Sequence, residues 1–168
     1  MKALVHLLIG VLGLWLQTTL APMIAIGGIR PNLMLLFLLI LVLRWPSPWL
    51  FVFGALAGLA LDSFSSGLLG VYALSFFAIA IIARMAGSAI YENNLISNIV
   101  VVFGLTLVHG GIALGIFRFL NPGVPWWWWM FSRVVPEALY TAACAPVVFW
   151  LHEKLERRLQ WGREGWEF

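Results

Sequence analysis

The chain is written as long apolar runs, broken at irregular intervals by short clusters of charge, proline or glycine. Runs bounded in this way predict helices over about 3–21, 31–43, 48–61, 68–83, 95–117 and 134–151. The few polar and small residues inside them recur at helical spacing. In the first run His6, Gly10, Gly13 and Gln17 follow one another at steps of 4, 3 and 4, which places them on one stripe that neighbouring helices can approach closely. The third run carries Gly54-x-x-x-Gly58, and a further step of four reaches Asp62. That spacing predicts an acid facing other helices, near the end of its own. In the fifth run Asn98, Thr106 and His109 share a face, while Gly104, Gly111 and Gly115 line another. The sixth opens with Arg133, Pro136 and Glu137, a first turn suited to proline and to a carboxylate at the positive end of the helix dipole. Glu137, Thr141 and Ala145 then share a face.

Composition turns these helices into membrane helices. Of 168 residues 62% are hydrophobic and 10% charged, and the mean hydropathy is +0.97. A soluble domain is about 45–50% apolar and about 25% charged, so an ordinary water-soluble globule is excluded. At about 20 residues per span the length admits about six helices and no separate soluble domain. The expected fold is therefore all-α, a polytopic membrane helix bundle over residues 1–151, followed by a cytoplasmic tail over 152–168. In that tail acids and bases alternate around Leu151, Leu155 and Leu159, as in an amphipathic interfacial helix. The first run, though it follows Met1 and Lys2 and ends near Ala21 and Ala25, is read as an uncleaved first helix.

The second and third runs are short. Leu33 to Leu43 covers about 17 Å at about 1.5 Å per residue, less than a bilayer core. They form two short spans or a re-entrant hairpin. One long broken helix is disfavoured, because Pro46 and Pro48 remove helical hydrogen bonds and Arg44 would sit at mid-membrane. These prolines, with Trp45 and Trp49, suit an interfacial turn.

Charge then supplies orientation. With six spans, Lys2, Arg44, Arg84, Lys154, Arg157, Arg158 and Arg163 fall on one side, against Arg30, Arg118 and Arg133 on the other. The positive-inside rule makes both termini cytoplasmic. The connection over 118–133 then faces outward, with Trp126, Trp127, Trp128 and Trp129 as an aromatic anchor at the headgroups. Arg30, Arg118 and Arg133 become the partners expected for Asp62 on that side.

Reactive chemistry is scarce. The single cysteine, Cys144, cannot form an internal disulfide, and no Cys/His cluster has the spacing of a metal site, so no cofactor is expected. The basic residues make no stripe with a nucleic-acid footprint. The one enzyme that can be assembled, a hydrolase pairing Ser65 or Ser66 with His109, has neither a nucleophile motif nor an oxyanion donor. His109 is better read as a hydrogen-bonded core imidazole, and His6 and Gln17 as contacts between helices.

The stretch from Arg30-Pro31-Asn32-Leu33, through Gly54, Gly58, Leu59 and Asp62, to Gly67-x-x-Gly70-x-x-Ala73-Leu74-Ser75 and Arg84 resembles the rod shape-determining MreD family. Asn32 stands where many relatives carry an acid. The resemblance implies a non-enzymatic component of the bacterial inner membrane that serves the cell-elongation machinery for peptidoglycan. It also implies binding to the bitopic protein MreC, in a complex with MreB, RodA and a class B penicillin-binding transpeptidase. The family is similar in fold to the substrate-binding membrane components of energy-coupling-factor transporters. That likeness supplies the alternative function, a small-solute (vitamin-like) binding subunit, although in the first span an Ala-x-x-x-Ala spacing occurs only at its end, Ala21 to Ala25.

Overall fold

The computed structural model describes residues 2–44, 47–65, 68–85, 95–123 and 125–159. It is all-helical, with no strand among the described residues: α1 (Lys2–Met23), α2 (Leu33–Arg44), α3 (Trp49–Phe64), α4 (Val71–Met85), α5 (Leu95–Leu120), α6 (Trp126–Trp129) and α7 (Val135–Leu159). A π-helical turn, Met130–Val134, joins α6 to α7. Two segments, Ile96–Leu120 and Trp126–Lys154, are long and apolar enough to cross a membrane by length and composition. The side chains of His6 and Arg44, the turn residues Trp45 and Pro46, and the tail after Leu159 lie outside the described residues.

The short α2 forms the centre of the bundle. From Leu33 to Val42 nearly every side chain is buried, as expected of a helix that is apolar all round. A helix sheathed by others need not match the bilayer, because its ends meet protein groups rather than lipid. Twelve residues, about 18 Å at the usual rise, are enough there. Around it, α3 pairs most extensively with α4, and α5 with α7. The α1 stripe faces inward: a methyl group on Gly10 would strike the Phe53 ring, and one on Gly13 would lie 2.9 Å from Met34 Sδ and 3.2 Å from the Phe37 ring.

The last helix begins earlier than the sequence pattern predicts. It starts at Trp126, so the tryptophans expected in an outer connection form its first turn, with Trp126, Trp127 and Trp128 exposed. Pro136 explains both the misplaced start and the π turn. Proline has no N–H to donate and its ring crowds the carbonyl four residues back, a signature of a helix start. Here the chain instead widens to π geometry immediately before Pro136 and continues. Its far end runs unbroken through residue 152 to Leu159, so the first part of the expected tail is continuous with the last helix.

Alternating helices gather one set of chain ends at one end of the bundle: the α1–α2 connection, the α3–α4 connection, and the region around Arg133. Arg84, exposed in the last turn of α4, lies at the opposite end. In the α1–α2 connection Ile26 and Ile29 exchange both backbone hydrogen bonds at 3.0 Å around Gly27 and Gly28, whose φ values are +59° and +81°. Only residues that tolerate positive φ close a two-residue turn of this hand.

Candidate functional site

The C-terminal turn of α3 holds the most constrained polar group. Asp62 is 1% exposed, and its carboxylate accepts three backbone hydrogen bonds from the start of α4: Gly70 N–H to Oδ2 at 2.9 Å, Tyr72 N–H to Oδ1 at 3.1 Å and Ala73 N–H to Oδ2 at 3.2 Å. An α-helix begins with four N–H groups that have no intrahelical acceptor, and an anion there also meets the positive end of the helix dipole. Asp62 therefore caps α4 from another helix. Its oxygens meet amides, where the sequence reading expected the guanidinium of Arg30, Arg118 or Arg133. The physical reason is proximity. One turn earlier, Gly58 brings the backbones of α3 and α4 so close that a methyl group built on it would lie 2.5 Å from Ala73 N and Cα. Gly54 continues this face, 3.3 Å from Leu38 Cδ1 and from the Phe76 carbonyl by the same construction.

A second cap lies beside the first. Gln17 Oε1 accepts the N–H groups of Leu33 at 2.7 Å and Met34 at 3.2 Å, and Asn32 Oδ1 accepts that of Leu35 at 3.0 Å, so two side chains cap α2. The Asn32 N–H donates to Thr141 Oγ1 at 2.9 Å, and Tyr140 Oη donates to the Ile24 carbonyl at 2.7 Å. These contacts tie the α1–α2 connection to α7. Replacing Asn32 with alanine removes one cap acceptor and is expected to destabilise the protein by about 1 kcal/mol. Thermal unfolding of the detergent-solubilised protein checks this; an unchanged midpoint would show that the cap contributes nothing.

Over both caps opens a cavity of about 650 Å³, lined by Asn32, Tyr72 and four of the residues singled out in the sequence, Gln17, Arg30, Arg133 and Glu137. Glu137 stands next to the Asn32 side chain. The Arg133 guanidinium lies 5.1 Å from the centroid of the Trp129 ring, a cation–π contact within the turn that joins α6 to α7. Asp62 lies beneath the cavity rather than in its lining. The structure thus brings Gln17, Arg30, Arg133 and Glu137 together, with Gly54, Gly58 and Asp62 on the adjoining helix pair. Gly10 and Gly13 pack lower in the bundle, and Arg84 stands apart.

A separate polar pair crosses between α4 and α5. His109 Nδ1 is 3.0 Å from Ser75 Oγ, and the Ser75 hydroxyl donates to the Val71 carbonyl at 2.7 Å. With its proton on that carbonyl, the hydroxyl accepts from the imidazole in the tautomer that carries its proton on Nδ1. The imidazole also packs on Tyr72 and Phe76, at ring distances of 5.1 and 5.3 Å. This pair holds two helices together, and its hydroxyl is turned away from nucleophilic work. The Ser65 hydroxyl donates to the Asp62 carbonyl at 3.3 Å. Among the described residues no group of three His, Cys, Asp or Glu side chains could hold a metal ion.

Sequence reading did not assign the Asn32, Tyr140 and Ser75 contacts. For Asn32 a signal existed: an Asx residue immediately before a long apolar run is a helix start. Tyr140 and Ser75 act through contacts more than thirty residues away in the chain, which no local pattern reports.

Fold and site together define an apolar all-helical bundle with membrane-length helices, whose buried polar groups cap and cross-link helices. The chain belongs to a specific family of this class: a family model described as rod shape-determining protein MreD matches residues 1–157. The family is membrane-associated and concerned with determining rod shape; it is a structural family, not a known enzyme family. No curated protein and no solved structure matches the chain.

Proposed function

We propose that this protein is a non-enzymatic, multi-pass scaffold of the bacterial inner membrane that binds MreC within the cell-elongation complex containing MreB, RodA and a class B penicillin-binding transpeptidase. Both termini are cytoplasmic in this reading, by the excess of positive residues at that end, and the cavity opens outward. The observation that carries it, given the family, is the outer face of α5. A methyl group added to Gly104, Gly111 or Gly115 would meet nothing within 4 Å, and Val100 and Val108 are exposed on the same face. In lipid, small residues let another helix approach closely, and an unfilled small-residue face fits the single membrane helix of a bitopic partner.

The mode of action is positional. A protein that binds two states of a partner with different affinity shifts their balance without chemistry. Site-specific photocrosslinking in living cells tests this directly. A photoreactive residue at Val108 is expected to capture MreC, and one at Leu74, exposed on α4, is not. Capture from Leu74 alone, or from neither, would overturn the assignment of the face.

A second reading, a small-solute-binding subunit on the pattern of energy-coupling-factor transporters, draws support from the polar cavity. Co-purification of ATPase subunits in place of MreC would favour it.

A further inference from the structure

Two arginines in the cavity lining have no part in capping. The amides of α4 are satisfied by Asp62 and those of α2 by Gln17 and Asn32, which leaves Arg30 and Arg133 to face whatever enters. Both are exposed side chains on separate elements, one in the turn between α1 and α2 and the other in the π turn. Arg133 is held by the face of Trp129, which leaves its N–H edge available. Two guanidiniums from separate elements in the lining of one cavity match the planar, bidentate recognition of a phosphate group. Glu137, in the same lining, would repel a bare anion but accept a hydrogen bond from a hydroxyl or ammonium carried beside the phosphate.

The rim decides what carries that phosphate. Leu61 and Phe64 line the cavity with the arginines, and Phe64 is 71% exposed. Met23, the last residue of α1, and Ile26, in the connection that follows, are 78% and 69% exposed. A polar cavity that opens through exposed apolar side chains fits an amphiphile, with its head inside and its chains along the rim.

We propose that Arg30 and Arg133 form a binding site for a phosphate ester bearing a hydrogen-bond donor, of the kind found in an anionic phospholipid headgroup, with Glu137 accepting from the donor. The proposal rests on the membrane reading of the chain, not on the identity of its protein partners.

The test uses the full chain purified in detergent, with bound lipid counted by native mass spectrometry. Phosphatidylglycerol is expected to be retained, one per chain, in preference to phosphatidylcholine. The double variant R30Q/R133Q is expected to lose about tenfold in that retention, while R84Q, at the opposite end, keeps it. If the double variant does not purify as a single species, R30Q and R133Q alone carry the comparison, since both side chains are exposed. sn-Glycerol 3-phosphate serves as competitor. Displacement of the lipid by it supports the site and identifies the phosphate ester as sufficient, so that a soluble ester is the source; failure to displace assigns the source to the lipid. Equal retention of both lipids, or unchanged retention in the arginine variants, overturns the proposal. A chain that stays in solution without detergent would instead sink the membrane reading itself.

Discussion

Replacing Gly58 with leucine is expected to separate α3 from α4 and abolish the folded bundle. The first atom of the new side chain would meet Ala73 N and Cα and Tyr72 C at 2.5 Å, and these are backbone atoms that no rotamer change can move. Relief requires one helix to shift, which would pull Gly70, Tyr72 and Ala73 off the Asp62 carboxylate. Overpacking a tight site costs about 3 kcal/mol in its own right, and the lost cap adds to it. Fluorescence-detected size exclusion after detergent extraction should show little or no monodisperse protein. Leucine at Gly104, a glycine of α5 with open space beside it, is the matched control and should leave the peak in place. Equal yields of the two variants would mean that the close approach at Gly58 does not hold the pair together.

That contrast between two glycines marks how far the chain can be read without its structure. The all-helical class follows from apolar runs and sparse charge, and the spacing of Gly54, Gly58 and Asp62 puts three residues on one helical face by geometry alone. Periodicity reports which residues share a face but not what lies opposite. Gly58 and Gly104 look alike in sequence, yet one touches a backbone and the other touches nothing. The same limit explains Asp62. A buried acid needs a partner, and arginines are the obvious ones in a list of side chains; three backbone amides leave no mark in a sequence because every residue but proline has one.

Lengths misled for a related reason. A short apolar run reads as a problem when every helix is assumed to face lipid, and α2 shows the alternative of a helix buried on all sides. Pro136 was legible as a helix-start signal but not as the cause of a π turn in a helix already under way, because the tryptophans before it carry no helical pattern of their own. The cavity was legible only in parts. Arg30, Arg133, Gln17 and Glu137 stood out as polar residues near the same end of the bundle, but their convergence depends on the Gly27-Gly28 turn and on the tie from Tyr140 to Ile24, both tertiary facts.

The cap itself predicts a graded pair of variants. Asp62→Ala leaves three N–H donors at the start of α4 without their acceptor, at a position where the native side chain is 1% exposed. Hydrogen bonds to a charged group contribute about 1.5–3 kcal/mol each and are not additive, so a loss of about 3 kcal/mol or more is expected. Asp62→Asn keeps one oxygen, and in the favourable rotamer that oxygen takes the place of Oδ2 and still accepts from Gly70 and Ala73. The new amide then sets a donor against the Tyr72 N–H, so the asparagine variant loses one bond and the charge assistance of the others, about 1–2 kcal/mol in total. The order wild type, Asp62→Asn, Asp62→Ala should appear in thermal unfolding of the detergent-solubilised protein. It should appear again in the amount of chain that reaches the membrane in cells, because an uncapped α4 also withdraws Tyr72 from the cavity wall and Ser75 from His109. Equal stability of the two variants would mean that water reaches the amides and that Asp62 is not the clamp between α3 and α4.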